Sequence, residues 1–131
     1  MNWIVITLLV LAALAILTYL SLPAFLRLLG IHRHYAIPDF DMKGRRALVI
    51  CTNHDRLDPL KRATGAFGSE FTVPYYAFVN AGMEVDMASP KGGKIPVQPG
   101  SWSWPLACED DRRFMADKKA MHDLKNSKAI A

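Results

Sequence analysis

The sequence predicts an α/β fold behind a single membrane-spanning helix. Three features of the 131 residues predict it. An uninterrupted apolar segment opens the chain. Two short apolar runs rich in β-branched residues or methionine follow. Between those runs lies a stretch whose apolar residues repeat with helical spacing.

The opening segment, Trp3 to Leu22, reads WIVITLLVLAALAILTYLSL and carries no charged side chain. As a helix, some 20 residues span about 30 Å, the thickness of a bilayer hydrocarbon core. A helix satisfies its own backbone polar groups, so such a segment can cross lipid. Trp3 and Tyr19 stand near its two ends, where amphipathic rings favour the interface. A cleaved signal peptide fits less well. Met1-Asn2 supplies no basic n-region, and no small-x-small site follows Leu22. Pro23–Gly30 reads as a short helical turn that continues at the interface and ends at the glycine, so residues 1–30 form the anchor.

Arg27, Arg33, Lys43, Arg45 and Arg46 all follow the span. The positive-inside tendency predicts a single-pass protein, with a short N-terminus outside and the C-terminal part in the cytoplasm. The formal charge of +4 is concentrated near the membrane, where cations meet anionic headgroups. No basic–aromatic interleaving suggests a nucleic-acid partner; the lipid bilayer is the partner that the sequence implies. In a reducing cytoplasm Cys51 and Cys108 are expected as thiols.

Residues 31–45 read as an extended linker, because Pro38 discourages helix just before it. Arg46–Thr52, RALVICT, fits a fully buried strand. Asn53–Gly65 is loop chemistry, punctuated by Asp58-Pro59 and Gly65. Phe71, Tyr75, Phe78 and Val79 then mark a helical face. Thr72 is its candidate N-cap, Pro74 falls in its first turn, and Gly82 suits the left-handed position after its end. Met83–Ser89 reads as the second strand, which closes a βαβ unit with parallel pairing. Pro90–Ala107 is a long Gly/Pro/Trp-rich loop of the kind usually tied to function. Glu109-Asp110-Asp111 complement the start of a final helix over about Arg112–Lys125. No third strand is expected after it. The whole is therefore an incomplete doubly wound parallel sheet: βαβ, loop, α. A sheet so small needs further strands or a partner, either a homo-oligomer or a second chain.

Several residue sets invite a chemical reading. Cys51 with His54 three residues on could form a nucleophile–base pair, against the plainer reading of a small residue in a buried strand. Cys51, His54 and Asp55, or His32-x-His34, could ligate a metal, but neither set supplies a four-ligand pattern, and no metal or other cofactor is expected. Gly92-Gly93 lacks the phosphate-loop context and reads as a turn. Trp102 and Trp104 could rim a substrate mouth, form a dimer contact or anchor packing. Glu70, at the start of the first soluble helix, could simply offset the helix dipole.

The segments ALVICTNHD and TGAFGSEFTVPYYAFVNAGMEVDMASPKGG together resemble the opening βαβ unit of the ThiJ/PfpI superfamily, a class I glutamine amidotransferase-like group. The similarity runs from about Lys43 to Ala131 and favours the heat-shock chaperone and glutathione-independent glyoxalase III branch. The apolar start is similar to that of a membrane-anchored bacterial subgroup. The resemblance implies a flavodoxin-like domain over residues 46–131. It implies action on small reactive aldehydes, a protein-quality role, or a peptidase- or amidase-type hydrolysis. It also implies that Glu70 is the acidic partner of a nucleophilic cysteine. That cysteine lies on a strand–turn–helix in the second half of the family domain, and no residue here matches it. The expectation is a chain without the family's chemistry, truncated before the nucleophile.

Overall fold

A computed structural model describes residues 2–31 and 38–130. The chain forms two compact units, Met1–Tyr35 and Ala36–Ala131. The His32-x-His34 pair and most of the first half of the expected linker lie outside the described residues.

In the first unit, helix α1 (Trp3–Leu28) runs through the apolar segment and on past Pro23 without a break. The helical turn expected after Leu22 is the last part of one 26-residue helix. None of its residues is buried by the protein. The hydroxyls of Thr7, Thr18 and Ser21 donate to the carbonyls of Trp3, Leu14 and Thr18, which leaves no bare hydroxyl proton on an apolar helix. The helix stops at Gly30, whose φ of 93° only glycine adopts easily. Gly30 N–H bonds the Arg27 carbonyl and Ile31 N–H the Leu26 carbonyl, so both donors turn back on the last helical turn.

The second unit is a mixed α/β fold with a parallel-strand sheet. Its elements in order are β1 (Arg46–Ile50), β2 (Arg56–Leu57), β3 (Arg62–Ala63), α2 (Gly68–Asn80), β4 (Glu84–Ser89), β5 (Lys91–Gly93), α3 (Glu109–Ala116), α4 (Lys118–Lys125) and β6 (Ser127–Ala129). Among the described residues the main sheet has the order β1-β4-β6-β5. β1 and β6 both run parallel to β4, and β5 pairs antiparallel with β6. β2 and β3 form a separate hairpin.

Five expectations change. A third parallel strand does exist: β6 pairs Lys128 with Ala88 and Ala129 with Ser89. Its sequence, SKA, is too short and polar to show strand periodicity. The Asn53–Gly65 loop contains the β2–β3 hairpin, and the long loop begins with β5. The C-terminal helix is two helices. Asp117 between them is extended (φ −82°, ψ 109°), and its carboxylate accepts from the N–H groups of Lys119 and Ala120, so it caps α4. Helix α2 starts four residues before Thr72, which is buried within the helix rather than capping it. Pro74 then sits in the middle, where it offers no N–H to the carbonyl of Glu70. Tertiary packing of Phe71, Thr72, Tyr75 and Tyr76 outweighs that loss. Gly82 takes the left-handed position after α2 (φ 85°) that its place in the sequence predicts.

The fifth change concerns β1, which is not fully buried. Val49 and Cys51 face inward, whereas Leu48 and Ile50 are exposed. The same alternation puts Val85, Met87 and Ser89 of β4 inside. One core holds Val49, Cys51, Val85 and Met87 with Phe71, Tyr75, Tyr76, Ile95, Phe114, Ala120 and Leu124. Helices α2, α3 and α4 thus cover one face of the sheet. The other face carries Leu48, Ile50 and an ion cluster in which Asp86 Oδ2 meets Arg46 Nη2 at 2.6 Å and Lys128 Nζ at 2.7 Å.

The cluster ties β1, β4 and β6 together and gives a pH prediction. The hydrogen bond from Lys128, aided by Arg46, holds the Asp86 carboxyl below the usual carboxylate range. A depressed folded-state pKa contributes stability that is present above the unfolded value and lost as pH falls through the folded one. Acid titration of the wild-type chain should therefore show a component below the ordinary Asp range that Asp86→Asn removes. Arg46 and Lys128 are mostly exposed, so this component should shrink in high salt. Thermal melts across the acid range at two salt concentrations would measure it.

Candidate functional site

In open parallel sheets, ligands bind beyond the carboxyl ends of the strands. Here that edge is formed by Cys51–His54 after β1, the β4–β5 junction at Pro90, and the start of α2. Asn53 organises it. Its Nδ2 donates to Ser89 Oγ at 3.0 Å and to the Gly92 carbonyl at 3.2 Å, and its Oδ1 accepts from Lys91 N–H at 2.7 Å. Ser127 Oγ donates to the Gly93 carbonyl at 2.7 Å and lies 2.7 Å from Ser89 Oγ. A hydroxyl has one proton, and that of Ser127 is committed to Gly93. Ser89 must then donate to Ser127, while its oxygen accepts from Asn53. The chain Asn53→Ser89→Ser127→Gly93 is fully satisfied and runs one way. It pins the loop after β1 to the β4–β5 turn and to β6.

Gly92 and Gly93 lie in β5 with φ values of 69° and 71°, a backbone that glycine adopts without strain. The turn expected at Gly92-Gly93 is thus corrected: both belong to a strand that pairs with β6, and the turn itself falls at Pro90.

The candidate Cys51–His54 pair is not brought into a working arrangement. Cys51 is buried in the core, and burial pushes its thiol up to about 11. His54 is exposed, and its backbone N–H donates to Thr52 Oγ1 at 2.9 Å. Cys108 is half-buried at the start of α3, and its thiol is also raised, chiefly by burial. The thiolate is the nucleophile, so at neutral pH neither sulfur is poised to attack. Both are free thiols. Alkylation of the native chain by iodoacetamide near neutral pH should leave Cys51 unmodified until urea is added. Peptide mass spectrometry after timed quenching would check this.

Among the described residues, no three His, Cys, Asp or Glu side chains converge on a metal position.

Glu70 is the third residue of α2 and is exposed. It is the acidic residue of the helix's first turn, where a carboxylate complements the helix dipole. Its backbone N–H bonds the Phe67 carbonyl. Helix α2 follows β1 and leads into β4, so its first turn lies at the carboxyl edge of the sheet.

Behind Glu70 the scaffold is tightly packed. Trp102 lies 5.9 Å from the Phe71 ring and 6.0 Å from that of Phe114, which makes it a packing anchor. Its indole reaches so close to Gly68 that an added Cβ would overlap Cδ1. Among the described residues its buried Nε1 meets no hydrogen-bond partner. Trp104 is partly exposed. Gly65 likewise allows close approach, since a Cβ there would overlap the Pro96 carbonyl oxygen. This contact accompanies the Ala66–Val97 bridge, which holds the long loop against the start of α2.

One feature that sequence reasoning missed is the Thr72–Asp111–Cys108 set. Thr72 Oγ1 donates to Asp111 Oδ1 at 2.7 Å, and Cys108 N–H donates to Asp111 Oδ2 at 2.9 Å. Asp111 and Thr72 are fully buried. The acidic run before α3 signals a helix start but does not reveal which acid turns inward.

No family model and no curated protein matches the chain. Two solved structures do. One is the crystal structure of the Francisella tularensis Rapid Encystment Protein 24 KDa (REP24), with 30% identity and a TM-score of 0.58 over 65% of this chain. The other is the crystal structure of a protein designated APC35852, with 30% identity and a TM-score of 0.51 over 66% of this chain. The chain spans only about a third of each, 37% and 35%.

Proposed function

We propose that this chain supplies the membrane anchor and opening βαβ segment of a ThiJ/PfpI-type, flavodoxin-like domain on the cytoplasmic side of a membrane. The observation that carries this reading is the one-sided sheet. β1, β4 and β6 are parallel, their helices cover one face, and Leu48 and Ile50 stand bare on the other. Parallel sheets are stable with both faces covered, so the edge of β1, unpaired among the described residues, and this bare face call for further strands and helices. The greater length of the two similar structures, of which this chain covers 37% and 35%, fits that requirement. The anchor reading is supported by α1, which is long and apolar enough to cross a bilayer; a signal sequence passes the same test.

In this reading Glu70 supplies the carboxyl that would bond a nucleophilic cysteine, and the substrate class is small reactive aldehydes. The raised thiols of Cys51 and Cys108 support placing the nucleophile outside this sequence. The 131-residue chain in detergent should therefore not consume methylglyoxal. Joined with a segment that provides a strand–Cys–turn–helix, it should do so, and Glu70→Gln should lower the rate about tenfold or more. Turnover by the chain alone, abolished by Cys51→Ser, would overturn the proposal.

The second reading is an anchored binding module, completed by another chain, with no chemistry of its own. The same bare face and the absence of a poised thiol among the described residues favour it. A completed fold whose activity ignores Glu70→Gln would support it.

A further inference from the structure

Outside the site, the β2–β3 hairpin stands apart from the main sheet of the second unit. It belongs to no larger sheet among the described residues. Its tip, Arg56-Leu57-Asp58-Pro59-Leu60-Lys61-Arg62, carries two exposed leucines, and Leu60 at 68% exposure is the most exposed large apolar side chain described in this unit. Register places Leu57 directly opposite Arg62, so the two share one face of the ribbon. An arginine beside a leucine can lay its stem along apolar surface and keep its charge in a polar layer. Arg56, Lys61 and Arg62 are all exposed, and none forms a salt bridge among the described residues. Asp55 and Asp58 oppose them, so residues 55–62 keep a net charge of +1 by formal count.

We infer that this hairpin is a membrane-contact device, which dips Leu57 and Leu60 into the interface of an anionic bilayer while Arg56, Lys61 and Arg62 meet lipid phosphates. The inference rests on reading α1 as an uncleaved anchor. About nine residues separate the end of α1 from Pro38, and so short a link holds the second unit at high effective concentration beside the bilayer. Weak contacts then suffice. The small net charge makes the leucines the main contribution and the cations the source of lipid preference. Acidic lipids fit the exposed cations, and an interfacial depth fits leucines flanked by charge. A protein partner would need a larger patch than two side chains provide.

The test is hydrogen–deuterium exchange on the full chain in nanodiscs of phosphatidylcholine, with and without phosphatidylserine. Peptides covering 54–64 should exchange several-fold more slowly in the phosphatidylserine discs. Leu57→Ser with Leu60→Ser should abolish the difference, while peptides from α2 stay unchanged and report an intact fold. Arg56→Gln with Arg62→Gln should weaken it. Equal exchange in both lipids, or a difference that survives the double serine variant, would overturn the inference. Release of the chain from membranes by carbonate is the separate result that would overturn the anchor reading instead.

Discussion

Phe114→Ala should be the most damaging single substitution in the core. Phe114 is fully buried, and four aromatic rings surround it. Tyr75 packs edge-on at 5.2 Å and Phe71 at 5.4 Å, while Trp102 and Tyr76 lie at 6.0 and 6.2 Å. These rings come from α2 and the long loop, so one side chain of α3 joins three segments. Truncating a buried Phe typically costs about 3–5 kcal/mol, through lost transfer energy and the cavity left behind. Rigid neighbours that cannot collapse into the space push the cost toward the upper end. Phe114→Leu keeps most of the volume and loses the edge-to-face contacts, so it should cost about 1–2 kcal/mol. Urea unfolding of the full chain in detergent, followed by near-UV circular dichroism, measures both. Equal costs for the two variants would show that ring geometry, rather than volume, dominates.

That cluster also shows what was legible before folding. The periodicity of Phe71, Tyr75 and Val79 pointed to a helix, and the apolar runs at 46–52 and 83–89 pointed to two parallel strands. Those signals are strong because each element is long enough to repeat its pattern. The boundaries were less legible. Thr72 looked like a cap because its side chain is the type that caps, but its hydroxyl is used 39 positions away in sequence, on Asp111. The break at Asp117 was hidden because acids and lysines read equally well through a continuous helix. β6 was invisible because a strand of 3 residues cannot show a period.

The site was legible only in its pieces. Glu70 could be placed at a helix start from the sequence, and it is there. Cys51 could be placed in a strand, but only burial shows that its thiol is silent. The Asn53–Ser89–Ser127 chain could not be foreseen, because it links three strand ends that are close only after the sheet has formed. Its bonds are all satisfied, which argues for a rigid frame at the carboxyl edge rather than reactive chemistry. Chemistry at this edge would then depend on groups that this frame holds in place.

Asp111→Ala should rival Phe114→Ala in cost, for an electrostatic rather than a packing reason. Both oxygens of the buried Asp111 side chain accept hydrogen bonds, one from buried Thr72 of α2 and one from the part-buried Cys108 backbone at the start of α3. The Cys108 sulfur completes a capping box by accepting from the Asp111 N–H. Removing the carboxylate leaves a buried hydroxyl and a part-buried N–H without partners, at about 3–5 kcal/mol in total. Asp111→Asn tests the cause. Its oxygen can still accept from Cys108 N–H, and its amide can donate to Thr72 Oγ1, whose oxygen is free to accept. The loss should then be only about 1–2 kcal/mol. Thr72→Val removes a hydrogen bond to a carboxylate in the wild type and only a neutral one in the Asp111→Asn background, so it should cost less there than in the wild type. A double-mutant cycle by urea unfolding reads the coupling directly. If Asp111→Asn proves as damaging as Asp111→Ala, the hydrogen-bond account of the α2–α3 junction fails.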